Sequence, residues 1–215
     1  MPPQQFGNPL EGLSMYSSLW IFGYGSLIWK PNFEFSEKKI GCVKGFVRRF
    51  WQGCISYRGV TGSPGRVATL VKEDQGTTWG VAFQVKGEEQ VLGALKHLNM
   101  REVVTGDYQL LTLTFYAQDG SELSVLAYVA TPCNRNYLGP ASSEDIAKDI
   151  ACSSGRAGPN TEYLFRIVEF MRELLPEVED EHLNEVNQYT KDFIECNRQQ
   201  SGSLHQIHHY SLLNT

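Results

Sequence analysis

The hydrophobic pattern of this 215-residue chain changes period at Pro140, and that change limits the folds open to it. Before it, apolar runs are short and punctuated by glycine and proline, the signature of strands joined by tight turns. The runs predict strands at Leu19–Leu27, one or two within Ile40–Ser56, and others at Arg66–Lys72 and Thr78–Val85. Tyr108–Ala117 and Leu123–Thr131 flank Asp119-Gly120, a strong hairpin signal. Glu88–Asn99 interrupts the strands with Val91, Leu92, Leu95 and Leu98 at helical spacing. After Pro140 the period is helical throughout. Ser142 or Ser143 is placed to cap a helix through Ile146 and Ile150. Pro159-Asn160 opens another, with Tyr163, Leu164, Ile167, Val168, Met171, Leu174 and Leu175 as its buried stripe, and Pro176 ends it. An amphipathic helix around Leu183, Val186, Phe193 and Ile194 follows. The first two thirds are therefore strand-rich and the last third helical.

A hydrophobic fraction of 41% with 12% aromatics is enough for a core, so wholesale disorder is excluded. The formal charge of −5 gives no basic field for phosphate backbones, so no nucleic-acid partner is expected. No membrane span is expected either. The most apolar stretch, Leu19–Trp29, is broken by Gly23, Gly25 and Ser26 and falls far short of the ~20 residues a span needs. Cys42, Cys54, Cys133, Cys152 and Cys196 are scattered with no CxxC spacing, which reads as reduced thiols rather than a zinc site. Residues 1–18 carry no basic n-region or apolar h-region, so the expected compartment is the reducing cytosol. The organisation expected is an N-terminal extension over 1–18, one domain over 19–198 and a flexible tail over 199–215. His205, His208 and His209 in that tail have helical zinc spacing but no carboxylate or thiol beside them, so no metal is assigned.

Two segments have the residue types for chemistry. In Phe22-Gly23-Tyr24-Gly25-Ser26-Leu27 a strand runs into two glycines, where backbone N–H groups can approach a small anion. Ile28 breaks the dinucleotide fingerprint and the Gly-Lys-Ser/Thr end of a phosphate loop is missing, so the spacing fits a small-anion nest or a tight structural turn. In Met100–Tyr108, Arg101 and Glu102 stand between a helix and a strand. Glu102 there is either a solvated side chain or, if buried among Val103, Val104 and aromatics, a carboxyl tuned for proton transfer. Tyr57-Arg58-Gly59 and Pro64-Gly65-Arg66 offer guanidinium groups for a carboxylate, and Tyr137-Leu138-Gly139-Pro140 an aromatic lid. No Gly-x-Ser-x-Gly elbow is present, and His97 and His182 lack an evident partner.

Taken together, these segments resemble the ChaC family of glutathione-specific γ-glutamylcyclotransferases, in its vertebrate-type branch. The resemblance starts at Leu19–Pro31 and continues through Arg48–Gly53, Pro64–Val67, Thr78–Ala82 and Arg101-Glu102. It then runs through Thr114–Tyr116, Ala127–Pro132, Tyr137–Pro140 and Asn160-x-Glu162-Tyr163-Leu164, in family order. It implies an α+β fold, a mixed β-barrel with flanking helices, and the cleavage of glutathione to 5-oxoproline and cysteinylglycine without cofactor or metal. By the same resemblance Glu102 is the catalytic acid–base, and the Phe22, Gly23, Tyr24, Gly25, Ser26, Leu27 turn binds substrate. Arg58, Arg66, Tyr108 and Tyr137 become cleft residues. Two other readings stay open: other γ-glutamyl peptides or amines as substrates, or a protein-binding regulator, since vertebrate-type relatives are linked to Notch-receptor processing. One departure stands out. Family members carry Gly-Gly-Tyr after the glutamate where this chain has Gly106-Asp107-Tyr108. An added carboxylate there raises the pKa of a neighbouring one or repels an anionic substrate.

Overall fold

The computed structural model describes residues 16–100 and 108–212, with side chains as far as 200. Seven strands and four helices are described: β1 (Ser18–Gly23), β2 (Glu37–Cys54), β3 (Gly65–Lys86), α1 (Glu88–Leu98), β4 (Gln109–Ala117), β5 (Glu122–Val129), α2 (Ser143–Cys152), β6 (Ser154–Gly155), β7 (Gly158–Pro159), α3 (Asn160–Leu174) and α4 (Glu181–Leu212). Two compact units share the chain: Met1–Gly53 with Val67–Gly139, and Cys54–Arg66 with Pro140–Thr215.

The first unit is a closed barrel of order β1-β3-β2-β4-β5. β1 pairs antiparallel with β3, and β4 pairs antiparallel with β2 and β5. A short parallel pairing of β1 with β5, Trp20 opposite Val125 and Ile21 opposite Leu126, closes the ring and removes its free edges. The sequence pattern breaks the region 66–85 at Glu73–Thr77, but β3 runs straight through it as one strand of 22 residues. The polar run is the exposed stretch of a strand whose pairing continues, so solvent contact there is not a turn signal. β2 is likewise a single strand, and Gly45 at φ +80° lets it coil as a barrel wall must. The β4–β5 hairpin forms as the Asp-Gly signal predicts, with Gly120 at φ +85°.

Alternation along β1 sends Phe22 one way and Leu19 and Ile21 the other. Phe22 meets Phe115 of β4 with ring centroids 5.5 Å apart. Leu19 and Ile21 join Val85, Leu126, Tyr128 and the apolar stripe Val91, Ala94, Leu95, Leu98 of α1. Each such side chain contributes about 1.5–3 kcal/mol when fully buried, so α1 is firmly seated on β1 and β5.

In the second unit, Ser142 caps α2, its Oγ accepting from Asp145 N at 3.1 Å. Ile146 and Ile150 of α2, Leu164 and Ile167 of α3, and Leu183 and Val186 of α4 are all buried. Of the stripe expected on α3, Leu174 departs, at 46% exposure in the last turn. Asp180 Oδ1 caps α4 by accepting from Leu183 N at 3.0 Å. α4 continues to Leu212, beyond residue 199 where the sequence suggests a tail, and no proline interrupts it. Among the described residues no helix is long and apolar enough to cross a membrane.

Candidate active site

Strand directions in the barrel decide which loops meet. Because β4 runs opposite to β2 and β5, and β5 runs with β1, the C-terminal ends of β1, β2 and β5 share one end of the barrel with the start of β4. That end carries the turn after β1, Trp51–Gly53 of β2, the chain after β5 and Tyr108. Three of these are segments that the sequence singles out for chemistry.

β1 is shorter than the strand predicted over Leu19–Leu27: it stops at Gly23, and Ser26–Ile28 winds into one 3-10 turn. A Cβ at Gly23 would lie 2.8 Å from the Cβ of Leu27, so the chain can double back this tightly only over glycine. Ile28 N donates to Gly25 O at 3.0 Å and Lys30 N to Ser26 O at 2.9 Å. The Tyr24 hydroxyl donates to the Tyr128 carbonyl at 2.6 Å, and Leu27 is buried in the α1 cluster. Phe22, Tyr24 and Leu27 thus use their side chains to hold the turn, while the backbone and half-buried Ser26 form the rest of it.

Glu102 lies outside the described residues, as do Arg101 and Asp107. The described residues on either side of that segment pack against one cluster. Leu98, at the end of α1, is fully buried in the cluster that holds Leu27, and Tyr108 packs partly buried against the same cluster.

After β5, residues 134–138 are tied to the end of β2. Leu138 N donates to Trp51 O at 2.8 Å, Gly53 N donates to Asn136 O at 2.8 Å, and Gln52 and Tyr137 form a bridge pair. Asn134 Oδ1 accepts from Asn136 N at 2.8 Å and from Gln52 Nε2 at 3.1 Å. Partial burial pushes the Tyr137 phenol up from its ordinary pKa, so it stays a neutral donor. Gln52 and Arg48 are buried polar residues of β2 to which the sequence pattern assigns no role. Both are 1% exposed, and with Phe50 they occupy alternate positions on the buried face of β2. The available signal was Arg48 and Gln52 alternating with Phe46 and Phe50 on one face of the strand. Arg48 Nη2 donates to the Trp79 carbonyl.

Arg58 and Arg66 belong to the second unit, and both are engaged with carboxylates there. Arg58 Nη1 donates to Glu162 Oε2 at 2.8 Å and to Pro159 O at 2.9 Å. Arg66 Nε donates to Asp149 Oδ2 at 2.7 Å. Asn160, fully buried, clasps the Arg66 backbone from both sides: its Oδ1 accepts from Arg66 N at 2.6 Å and its Nδ2 donates to Arg66 O at 2.9 Å. The 54–66 loop is thereby pinned to α2 and α3. A groove of about 630 Å³ between α3 and α4 is lined by residues such as Phe165, Val168 and Lys191, and by none of the expected substrate-contacting residues. Among the described residues no cluster of three His, Cys, Asp or Glu side chains could hold a metal ion.

A five-stranded mixed barrel closed by a parallel pair, with a glycine turn at the end where β4 begins, defines the γ-glutamylcyclotransferase fold. A solved structure of a γ-glutamylcyclotransferase specific to glutathione, from yeast, superposes with a TM-score of 0.76 at 26% identity, covering 83% of this chain and 97% of that one. The chain belongs to the ChaC-like protein family, which matches residues 19–192. Among its relatives, glutathione-specific gamma-glutamylcyclotransferase 1 of Rattus norvegicus is 50% identical over 181 residues, 83% of this chain and 81% of the relative. The protein of the same name from Danio rerio is 51% identical over 177 residues, 81% of this chain and 90% of the relative.

Proposed function

We propose that this protein cleaves glutathione to 5-oxoproline and cysteinylglycine by cyclising its γ-glutamyl group. The observation that carries the reading is that the glycine turn and both flanks of the Glu102 segment are set by one cluster, at the barrel end to which the strand directions also bring Tyr137. Relatives about half identical over most of their length bear the name of that activity.

The chemistry needs no protein nucleophile. The substrate's α-amine attacks its own γ-carbonyl, and the new C–N bond closes a five-membered lactam as the peptide C–N bond breaks. Holding amine and carbonyl in near-attack geometry supplies roughly 7–11 kcal/mol of the barrier. Glu102 takes one proton from the α-ammonium to free the attacking amine, and as the lactam forms the protons lost by that nitrogen pass by way of the carboxyl to the departing cysteinyl nitrogen, which ends as the ammonium, so no water is consumed. Backbone N–H groups of Gly23–Leu27 hold the α-carboxylate or the developing oxyanion. Tyr108 and Tyr137 border the substrate. Arg58 and Arg66 enter as the residues that keep the 54–66 loop in shape. A cytosolic setting, where the substrate thiol stays reduced, belongs to the same proposal.

The decisive experiment incubates purified protein with glutathione plus a chelator and measures 5-oxoproline by mass spectrometry, with γ-Glu-Ala in a parallel reaction. Release from glutathione well above that from γ-Glu-Ala is expected. No release from either overturns the reading, and equal release moves the substrate to γ-glutamyl peptides in general.

A further inference from the structure

Gln52 is held so that one of its polar atoms is left open. Its Nε2 donates to Gly53 O and to Asn134 Oδ1, both at 3.1 Å. Asn134 Oδ1 is itself oriented by accepting from Asn136 N at 2.8 Å, so both groups facing Nε2 are acceptors and the Gln52 amide cannot be turned round. That leaves Oε1 pointing the other way, buried and without a hydrogen-bond partner among the described residues. A buried carbonyl oxygen left this way calls for a donor, and an amide oxygen can only accept. The residue sits at the end of β2, at the barrel end that holds the turn after β1, and it is bridged to Tyr137.

We infer that Gln52 Oε1 accepts an N–H from the α-amino group of the γ-glutamyl arm, holding the amine that attacks. This rests on the cyclotransferase reading. A γ-glutamyl tripeptide carries N–H donors on its α-amine and its two peptide nitrogens. The amine alone must be gripped while it gives up a proton, and it keeps further N–H bonds after doing so. A neutral acceptor is suited to that grip. It orients the nitrogen lone pair toward the γ-carbonyl without competing with a carboxylate for the proton.

The test measures kcat and KM for glutathione in Gln52→Met, together with the inhibition constant of glutaryl-cysteinylglycine, which is glutathione without its amino group. The expected result is a fall in kcat/KM of about 10- to 100-fold, the weight of one hydrogen bond to a charged group, with inhibition by the deamino analogue nearly unchanged. Equal weakening for both compounds overturns the inference, because it means Gln52 only braces the 134–138 segment or meets a peptide nitrogen. Gln52→Glu supplies a second route. It loses the bond to Asn134 but keeps an acceptor oxygen, so activity several-fold above Gln52→Met supports substrate contact and parity with it refutes that contact. Wild-type protein that makes no 5-oxoproline fails the cyclotransferase reading itself. Active wild type with an equally active Gln52→Met fails this inference alone.

Discussion

Gly23→Ala probes the geometry on which the turn depends. The added methyl carbon would sit 2.8 Å from Leu27 Cβ, 3.3 Å from Leu27 C and 3.4 Å from Ile28 N. The first distance is too short for two carbons, so the 3-10 turn must move by several tenths of an ångström. Leu27 resists because it is buried in the α1 cluster, and Tyr24 resists through its bond to Tyr128 O. Overpacking of this kind costs about 1–3 kcal/mol. For a chain of this size that lowers Tm by about 2–4 °C per kcal/mol, measurable by thermal denaturation. Turnover falls as well, because a displacement of about 1 Å in positioning groups costs about 100-fold in rate and one of several tenths of an ångström costs a part of that. The offending atom is the Cβ of Leu27, which alanine also has. Leu27→Ala therefore leaves the clash in place, whereas Leu27→Gly relieves it. A double-mutant cycle is expected to show a coupling of about 1 kcal/mol with Leu27→Gly and almost none with Leu27→Ala. Gly23→Ala with wild-type Tm and wild-type 5-oxoproline release would refute the argument.

Glu102→Gln is expected to abolish 5-oxoproline release with Tm unchanged, and a variant that keeps near-normal turnover removes Glu102 from the mechanism; Asp107→Asn, measured alongside, is expected to retain activity. Asn160→Ala strands the buried Arg66 N–H and carbonyl and is expected to cost about 2–4 kcal/mol in denaturant unfolding; a change under about 0.5 kcal/mol contradicts the clasp. Glu162→Gln removes the carboxylate that pairs with largely buried Arg58; since Glu162 is 46% exposed, the expected loss is only about 1–2 kcal/mol, and no loss means that the pair is solvent-screened. Lys39 and Asp119 meet at 2.6 Å on the barrel surface, where their bond lowers the Asp119 pKa and raises that of Lys39. Their stabilisation is complete between about pH 4 and pH 10, fading below as Asp119 protonates and above as Lys39 deprotonates. Asp119→Asn should flatten the acid limb of a stability–pH curve, and an identical limb in both proteins shows that the pair contributes nothing.

Several of these features could be read directly from the chain. The hairpin at Asp119-Gly120, the Ser142 cap and the α1 stripe are each written within a few neighbouring residues, and each forms as the pattern predicts. The Phe22–Leu27 turn was legible for the same reason: two glycines after an apolar strand force a close reversal whatever surrounds it. The joining of Arg66–Lys72 and Thr78–Val85 into one strand was not legible, because the exposed run between them is continuous only through pairing with distant strands.

The guanidinium groups of Arg58 and Arg66 look available for substrate in the sequence, yet Glu162 and Asp149, which occupy them, stand 104 and 83 residues further along. The same limit hides Gln52, whose open oxygen is visible only once Asn134, 82 positions away, has claimed the nitrogen of the same amide. Period, capping and turn chemistry are local free energies, so the amino-acid order alone determines the elements and the reversal at Gly23. Which strands close the barrel, which charges neutralise each other and which buried atom is left without a partner depend on contacts between remote residues, and those exist only in the folded chain.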